Sequence, residues 1–254
     1  MAPICQDLAD EHAALDAVVA GLSEAGWATP TPAAGWDVRD TIVHIVQADE
    51  AGYLAVADAA GFEQAKARVM SGGLDAFGSG QGRSGAETLA WWRDTRSRML
   101  AVFAPLGAKD RIPWFGPSMS ALSFATARLM ETWSHGQDIA TALGVTIAPT
   151  DRLRHVAHIG VTTRGWSYAN RGRTAPDAPV RVELTAPSGA VWTWGPDDAA
   201  DRVSGDALDF CLVVTQRLPV GATALRTEGA AATEWMAIAQ AFAGPPTITD
   251  GGRG

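Results

Sequence analysis

Glu131 and His135 stand four residues apart in TARLMETWSHGQDIATALG, Thr126 to Gly144, a stretch with the spacing of a single helix. A carboxylate and an imidazole at i and i+4 project from the same side, so they can offer an oxygen and a nitrogen to one divalent ion. Arg128 and Asp138 extend the stripe by one turn on either side. On the pair alone, a polar exterior face is the simpler reading. His44 is a third candidate, set in WDVRDTIVHIVQADEAGYLA between Ile42, Val43, Ile45 and Val46. Its neighbours on the same face within two turns are Thr41, Ala48 and Ala51. A histidine in such surroundings is a satisfied core residue or a ligand with room around it, and taken alone the core reading is favoured.

Other chemistry-bearing patterns are weaker. GQGRSG, Gly80 to Gly85, is a literal G-x-G-x-x-G, but no strand is expected before it, so a flexible loop is expected in place of a nucleotide site. Cys5 and Cys211 have no CxxC partner, and Cys211 in DFCLVVT reads as a buried apolar residue. No G-x-S-x-G elbow occurs. His155 and His158, close to Arg152 and Arg154, are expected on a polar surface or an interdomain face. His12, among Glu11 and Asp16, is expected to be exposed.

The elements that must position these residues follow from periodicity and breakers. Helices are expected over residues 4–25, from the Asp37 cap to about 59, from the Ser84–Glu87 capping box to about 103, and over 118–143. A Gly-rich connector over 72–84 and the loop GAKDRIPWFGP separate the later ones. Four such helices predict a four-helix bundle. Beyond Gly144, a helix is expected over 151–170 and a hairpin in VRVELTAPSGAVWTW. A helix over 205–217, a short strand near 223–228 and a helix over 230–242 follow, and the tail GPPTITDGGRG is expected to fray. The expected class is α+β, with domains at 1–147 and 148–254.

The 254 residues are 47% hydrophobic and 19% charged, which is a globular composition. A formal charge of −8 with no offsetting basic cluster argues against nucleic acid as a partner. No apolar run approaches a membrane span and no leader opens the chain, so a soluble cytoplasmic protein acting on a small molecule is expected. Whether it forms a homodimer is left open.

Three features in order, PTPAAGWDVRDTIVHI, the WFGPSM loop and ARLMETWSHGQDIATALG, resemble the DinB-like metalloenzymes. Within them the chain is most similar to the actinobacterial mycothiol-dependent maleylpyruvate isomerase-like group, in a metal-binding subfamily that shares RLRHVAH, WTWGP and DFCLVVTQR. The resemblance implies a bundle that carries one divalent metal on His44, Glu131 and His135, with zinc expected and nickel or iron as alternatives. It also implies a small α+β C-terminal domain that supplies an arginine, by position Arg217, to hold a substrate carboxylate.

The implied activity is a metal-dependent transferase or isomerase that uses a thiol, mycothiol, on a small organic acid or electrophile. The alternatives are a thiol-independent hydrolase, lyase or cyclase in a biosynthetic pathway, and a metal-binding protein without turnover. Asp138 would orient an imidazole or lie on the surface. Arg128 would pair with Glu131 or an anionic ligand, or lie on the surface. Trp36, Trp114 and Phe115 would wall the site or brace its loops.

Overall fold

Ser and Asp side chains cap the long helices after the first, at Asp37, Asp58, Ser84 and Ser120. The computed structural model describes residues 1–73, 75–249 and 252–253. Contacts divide the chain into two units, Met1–Ile147 and Ala148–Gly254.

In the first unit, α1 spans Ala2–Val19 and a short α2 spans Glu24–Trp27. The expected helix 4–25 is thus two pieces, because Ser23 leaves the helical conformation and caps α2. Helix α3, Val38–Ala57, opens on a reciprocal box: Asp37 accepts from the Asp40 N–H at 2.8 Å, and Asp40 accepts from the Asp37 N–H at 3.2 Å. It ends at Asp58, whose side chain caps a further helix, α4 (Ala59–Met70). Sequence reading had no element there, since no Pro or Gly adjoins Asp58 to mark a break and a new start. Helix α5 spans Gly85–Phe103 behind the Ser84–Glu87 box. Strands β1 (Arg111–Ile112) and β2 (Met119–Ser120) pair and lead into α6, Ala121–Leu143, which closes on Gly144 at φ 66°.

Helices α1, α3, α5 and α6 form the bundle: α3 packs on α5 and α6, and α1 packs on α6 and α5. Leu15, Val19, Trp27, Val38, Ile42, Ile45, Val46, Leu89, Trp92 and Ile139 form a continuous buried core. Burying a residue of this kind is worth about 1.5–3 kcal/mol, so side-chain burial, more than helix propensity, holds the helices together.

Two glycines of GQGRSG serve packing, and the third, Gly82, takes a turn at φ 75°. A Cβ on Gly80 would lie 2.5 Å from Val43, and one on Gly85 would lie 2.1 Å from the Trp27 indole. Gly85 opens α5 after a turn, with no strand before it, so the dinucleotide geometry is lacking.

In the second unit, the helix expected over 151–170 is broken into α7 (Leu153–Thr162) and α8 (Arg164–Ala169). The hairpin is present as β3 (Val180–Thr185) and β4 (Val191–Trp194). Strand β5, Asp201–Asp206, runs parallel to β3 and was not foreseen. Its DRVSGD has one large apolar residue, Val203, and gives no alternating signal. Helix α9 (Ala207–Val214), strand β6 (Arg226–Glu228) and α10 (Ala230–Ile238) follow, in a sheet of order β4-β3-β5-β6. Near the end, β7 (Ile248–Thr249) pairs with β8 (Gly252–Arg253), where fraying was expected; residues 250, 251 and 254 of that tail lie outside those described. Cys211 is fully buried with its Sγ 3.5 Å from the Leu153 carbonyl, and burial pushes its thiol well above the ordinary range. It is an apolar core residue here, as its sequence setting suggested.

Candidate metal centre

Helix α3 carries His44, and α6 carries Glu131 and His135. Packing of α3 on α6 brings the three together, with candidate ligand atoms all within 4.8 Å of one another. Glu131 Oε2 lies 3.4 Å from His135 Nε2 and 3.8 Å from His44 Nε2. Both separations are long for a hydrogen bond. The shorter matches donors that share an ion, since donors about 2.0–2.1 Å from a tetrahedral ion stand roughly 3.3–3.5 Å apart, and the longer exceeds that spacing by a few tenths of an ångström. Two imidazole nitrogens and one carboxylate oxygen are also the donor types of catalytic zinc sites with an open position. Among the described residues this is the one group of three His, Cys, Asp or Glu side chains so placed.

Solvent reaches the trio. The His44 side chain is 40% exposed, Glu131 26% and His135 13%. Desolvation nevertheless lowers the His44 pKa, helped by the charges of His135 and Arg128 and opposed by Glu131. For Glu131, desolvation opposes ionisation, but the two facing imidazoles and Arg128 outweigh it and hold the carboxyl well below its usual range. A neutral imidazole and an ionised carboxylate are the forms that ligate metals.

Asp138 is buried, with Oδ2 3.2 Å from His135 Nδ1. An ionised carboxylate only accepts, so Nδ1–H donates to it and Nε2 is left facing Glu131. A surface position for Asp138 is therefore corrected. Trp36 lies against the two imidazoles, its ring 5.0 Å from that of His44 and 6.0 Å from that of His135. Its loop is held because the Trp36 carbonyl accepts from both the N–H and the hydroxyl of Thr31. Trp114 and Phe115 instead pack with Phe62, Phe77 and Phe124, bracing α4 and the loop before β2.

Arg128 is neither on the surface nor bonded to Glu131. It is buried, and its Nε donates to Asp49 Oδ1 at 3.0 Å. Asp49 on α3 faces His12 on α1, with His12 Nε2 3.8 Å from Asp49 Oδ2. His12 also meets Trp92 of α5 edge-on at 5.8 Å. The expected exposure of His12 is thus wrong: it is 1% exposed, and burial with the Arg96 and Arg128 charges drives its pKa well below the ordinary value. Four helices therefore share a closed polar layer that sequence reading missed. Asp49 in IVQADEA, on an otherwise apolar face, was the available signal.

His155 is half-buried and His158 exposed, both on α7. Arg217, half-buried just after α9, donates from Nη1 to the Thr215 carbonyl at 2.7 Å.

Residues 8–140 match a family model described as the mycothiol maleylpyruvate isomerase N-terminal domain. The chain belongs to this family. Residues 176–227 also match a model described as wyosine base formation. Two uncharacterized proteins of Mycobacterium tuberculosis, from strains CDC 1551 / Oshkosh and ATCC 25618 / H37Rv, are each 46% identical over 248 residues, covering 96% of this chain and 96% of theirs. The fold is that of a crystallised mycothiol-dependent maleylpyruvate isomerase and a histidine-to-alanine mutant of it. Each matches with a TM-score of 0.58 at 12% identity, over 89% of this chain and 91% of the other. The architecture of this family member is therefore the DinB-like helical domain followed by a small α+β domain. No helix among the described residues is long and apolar enough to cross a membrane.

Proposed function

We propose that this protein is a divalent-metal-dependent enzyme of the cytoplasm that uses a thiol, mycothiol, to isomerise or transfer to a small organic acid or electrophile. The observation that carries the reading is the convergence of His44, Glu131 and His135 from two helices, reached by solvent and set in the family's bundle. Family membership supports the thiol, because the crystallised relative is a mycothiol-dependent isomerase.

The three side chains would hold the ion through His44 Nε2, His135 Nε2 and a Glu131 carboxylate oxygen. When bound, it would supply Lewis acidity and favour the deprotonated form of a thiol brought to it. Zinc suits this donor set, with nickel or iron as alternatives. Asp138 keeps the His135 ring in one tautomer and orientation through Nδ1–H. Trp36 provides a flat apolar wall that excludes water from one side of a bound substrate. Arg217 is proposed, by its position in the family, to hold a substrate carboxylate through a bidentate pair. The free, buried Cys5 and Cys211 suit a reducing compartment.

The test is calorimetric titration of zinc-loaded protein with mycothiol. Saturable binding that is lost in His135→Ala is expected. If mycothiol leaves the metal-loaded protein unchanged while a small carboxylic acid binds, the chemistry is thiol-independent and the proposal fails.

A further inference from the structure

The closed layer beneath the candidate metal centre carries a charge problem whose solution has a functional consequence. Arg128 lies on α6 one turn before Glu131, and its positive charge acts on both Glu131 and His44. A guanidinium there repels a divalent cation, and burial makes that repulsion stronger than in water. Arg128 is 4% exposed, so solvent screens it little. Asp49, fully buried on α3, accepts from Arg128 Nε at 3.0 Å. It stands on the same helix as His44, one and a half turns further on.

We propose that Asp49 is a positioning residue for the metal centre, cancelling the Arg128 charge so that His44, Glu131 and His135 can take up a divalent cation. This rests on the metal-site reading above. The rest of the layer is arranged around the same carboxylate. His12 Nε2 faces Asp49 Oδ2 at 3.8 Å, and the Trp92 indole lies against the His12 ring. Arg96, whose charge also acts on Asp49, is engaged elsewhere: it donates to Asp16 at 2.6 Å and to the His12 carbonyl, and it stacks on Trp92. Burial pushes the Asp49 pKa up, and Arg128 acts against that rise. The carboxylate and the guanidinium thus support each other's charge, and neutralising one leaves the other's field unopposed.

A tie that merely held α3 to α6 would lose metal affinity whichever partner was removed. Charge compensation makes the two substitutions act with opposite sign. The experiment is chelator competition with zinc, together with the cobalt absorption spectrum, on wild type, Asp49→Asn, Arg128→Gln and the double variant. Asp49→Asn is expected to weaken zinc binding by about tenfold or more, within the range for groups that support ligands. Arg128→Gln is expected to bind about as tightly as wild type or up to about tenfold tighter. The double variant, with a neutral amide pair, should return to within about threefold of wild type, with an unchanged cobalt spectrum. If Asp49→Asn does not fold, Arg128→Gln and the double variant still decide. Weakening by about tenfold or more in Arg128→Gln, or no recovery in the double variant, overturns the proposal. Failure of wild type to bind any metal would instead sink the metal-site reading itself.

Discussion

Two layers of one bundle place histidine beside carboxylate to opposite effect. In the upper layer His44, Glu131 and His135 face one another with solvent access, under Trp36. In the other, His12, Asp49, Trp92 and Arg128 come from four helices and are all but sealed. In that sealed layer His12 Nδ1 and Nε2, Asp49 Oδ2 and Arg128 Nη2 are buried and make no hydrogen bond to any described residue. Both layers suppress histidine protonation by desolvation. The difference lies in what opposes each ring. An open pair of histidines around one ionised carboxylate makes a set of donors. A closed carboxylate already engaged by arginine makes a charge-balanced support.

The largest way to break the contrast is to remove the closed layer's carboxylate. Asp49→Ala leaves Arg128 as an unpaired buried charge and is expected to destabilise the protein by about 3–5 kcal/mol, read from urea unfolding. If it proves as stable as wild type, the layer does not support the bundle. Next comes the open layer. His44→Ala should fold normally and lose about 100-fold or more in zinc affinity, beyond the range seen for supporting groups. Normal folding is the informative half of that prediction, because a half-exposed His44 carries little of the core.

Legibility in sequence divided along the same line. The open layer could be proposed because Glu131 and His135 share a helical spacing and His44 sits oddly in an apolar run. Joining them needed the family resemblance, since nothing local to either helix says that α3 packs on α6. The closed layer was invisible for the same reason, and more completely. His12 lies beside Glu11 and Asp16, and its sequence neighbours gave no sign that Asp49, 37 positions away, lies across the core. The spacing of Arg128 points to Glu131, a bound anion or the surface, whereas its carboxylate partner, Asp49, lies on α3. In the fold, caps and periodicity located the long helices. Helix α4 and strand β5 were missed because Asp58 and DRVSGD stand in a break and a central strand without the residues that signal them.

Two smaller effects sharpen the contrast. Asp138→Ala removes the carboxylate that holds His135 and should weaken zinc binding by about 10–100-fold while leaving one ion per chain at saturation. Unchanged affinity would mean that the His135 ring is held by its packing alone. His12 should show in the pH dependence of stability. Its folded-state pKa lies well below the ordinary 6.5, so the unfolded chain takes up the proton first. Stability from this group is therefore complete above about 6.5 and falls as the pH drops below it. Between pH 7.5 and 5.5 the loss is at most about 1.4 kcal/mol, and His12→Leu should remove that part of the slope in urea unfolding. An unaltered slope would place the titrating group elsewhere.

On the proposed reading, α3 and α6 together build a metal centre. Anomalous diffraction at the zinc edge from crystals of zinc-loaded protein tests it directly. One strong peak per chain is expected, about 2.0–2.2 Å from His44 Nε2, Glu131 and His135 Nε2. A peak at any other group of side chains, or full metal content with these three side chains left uncoordinated, would contradict it.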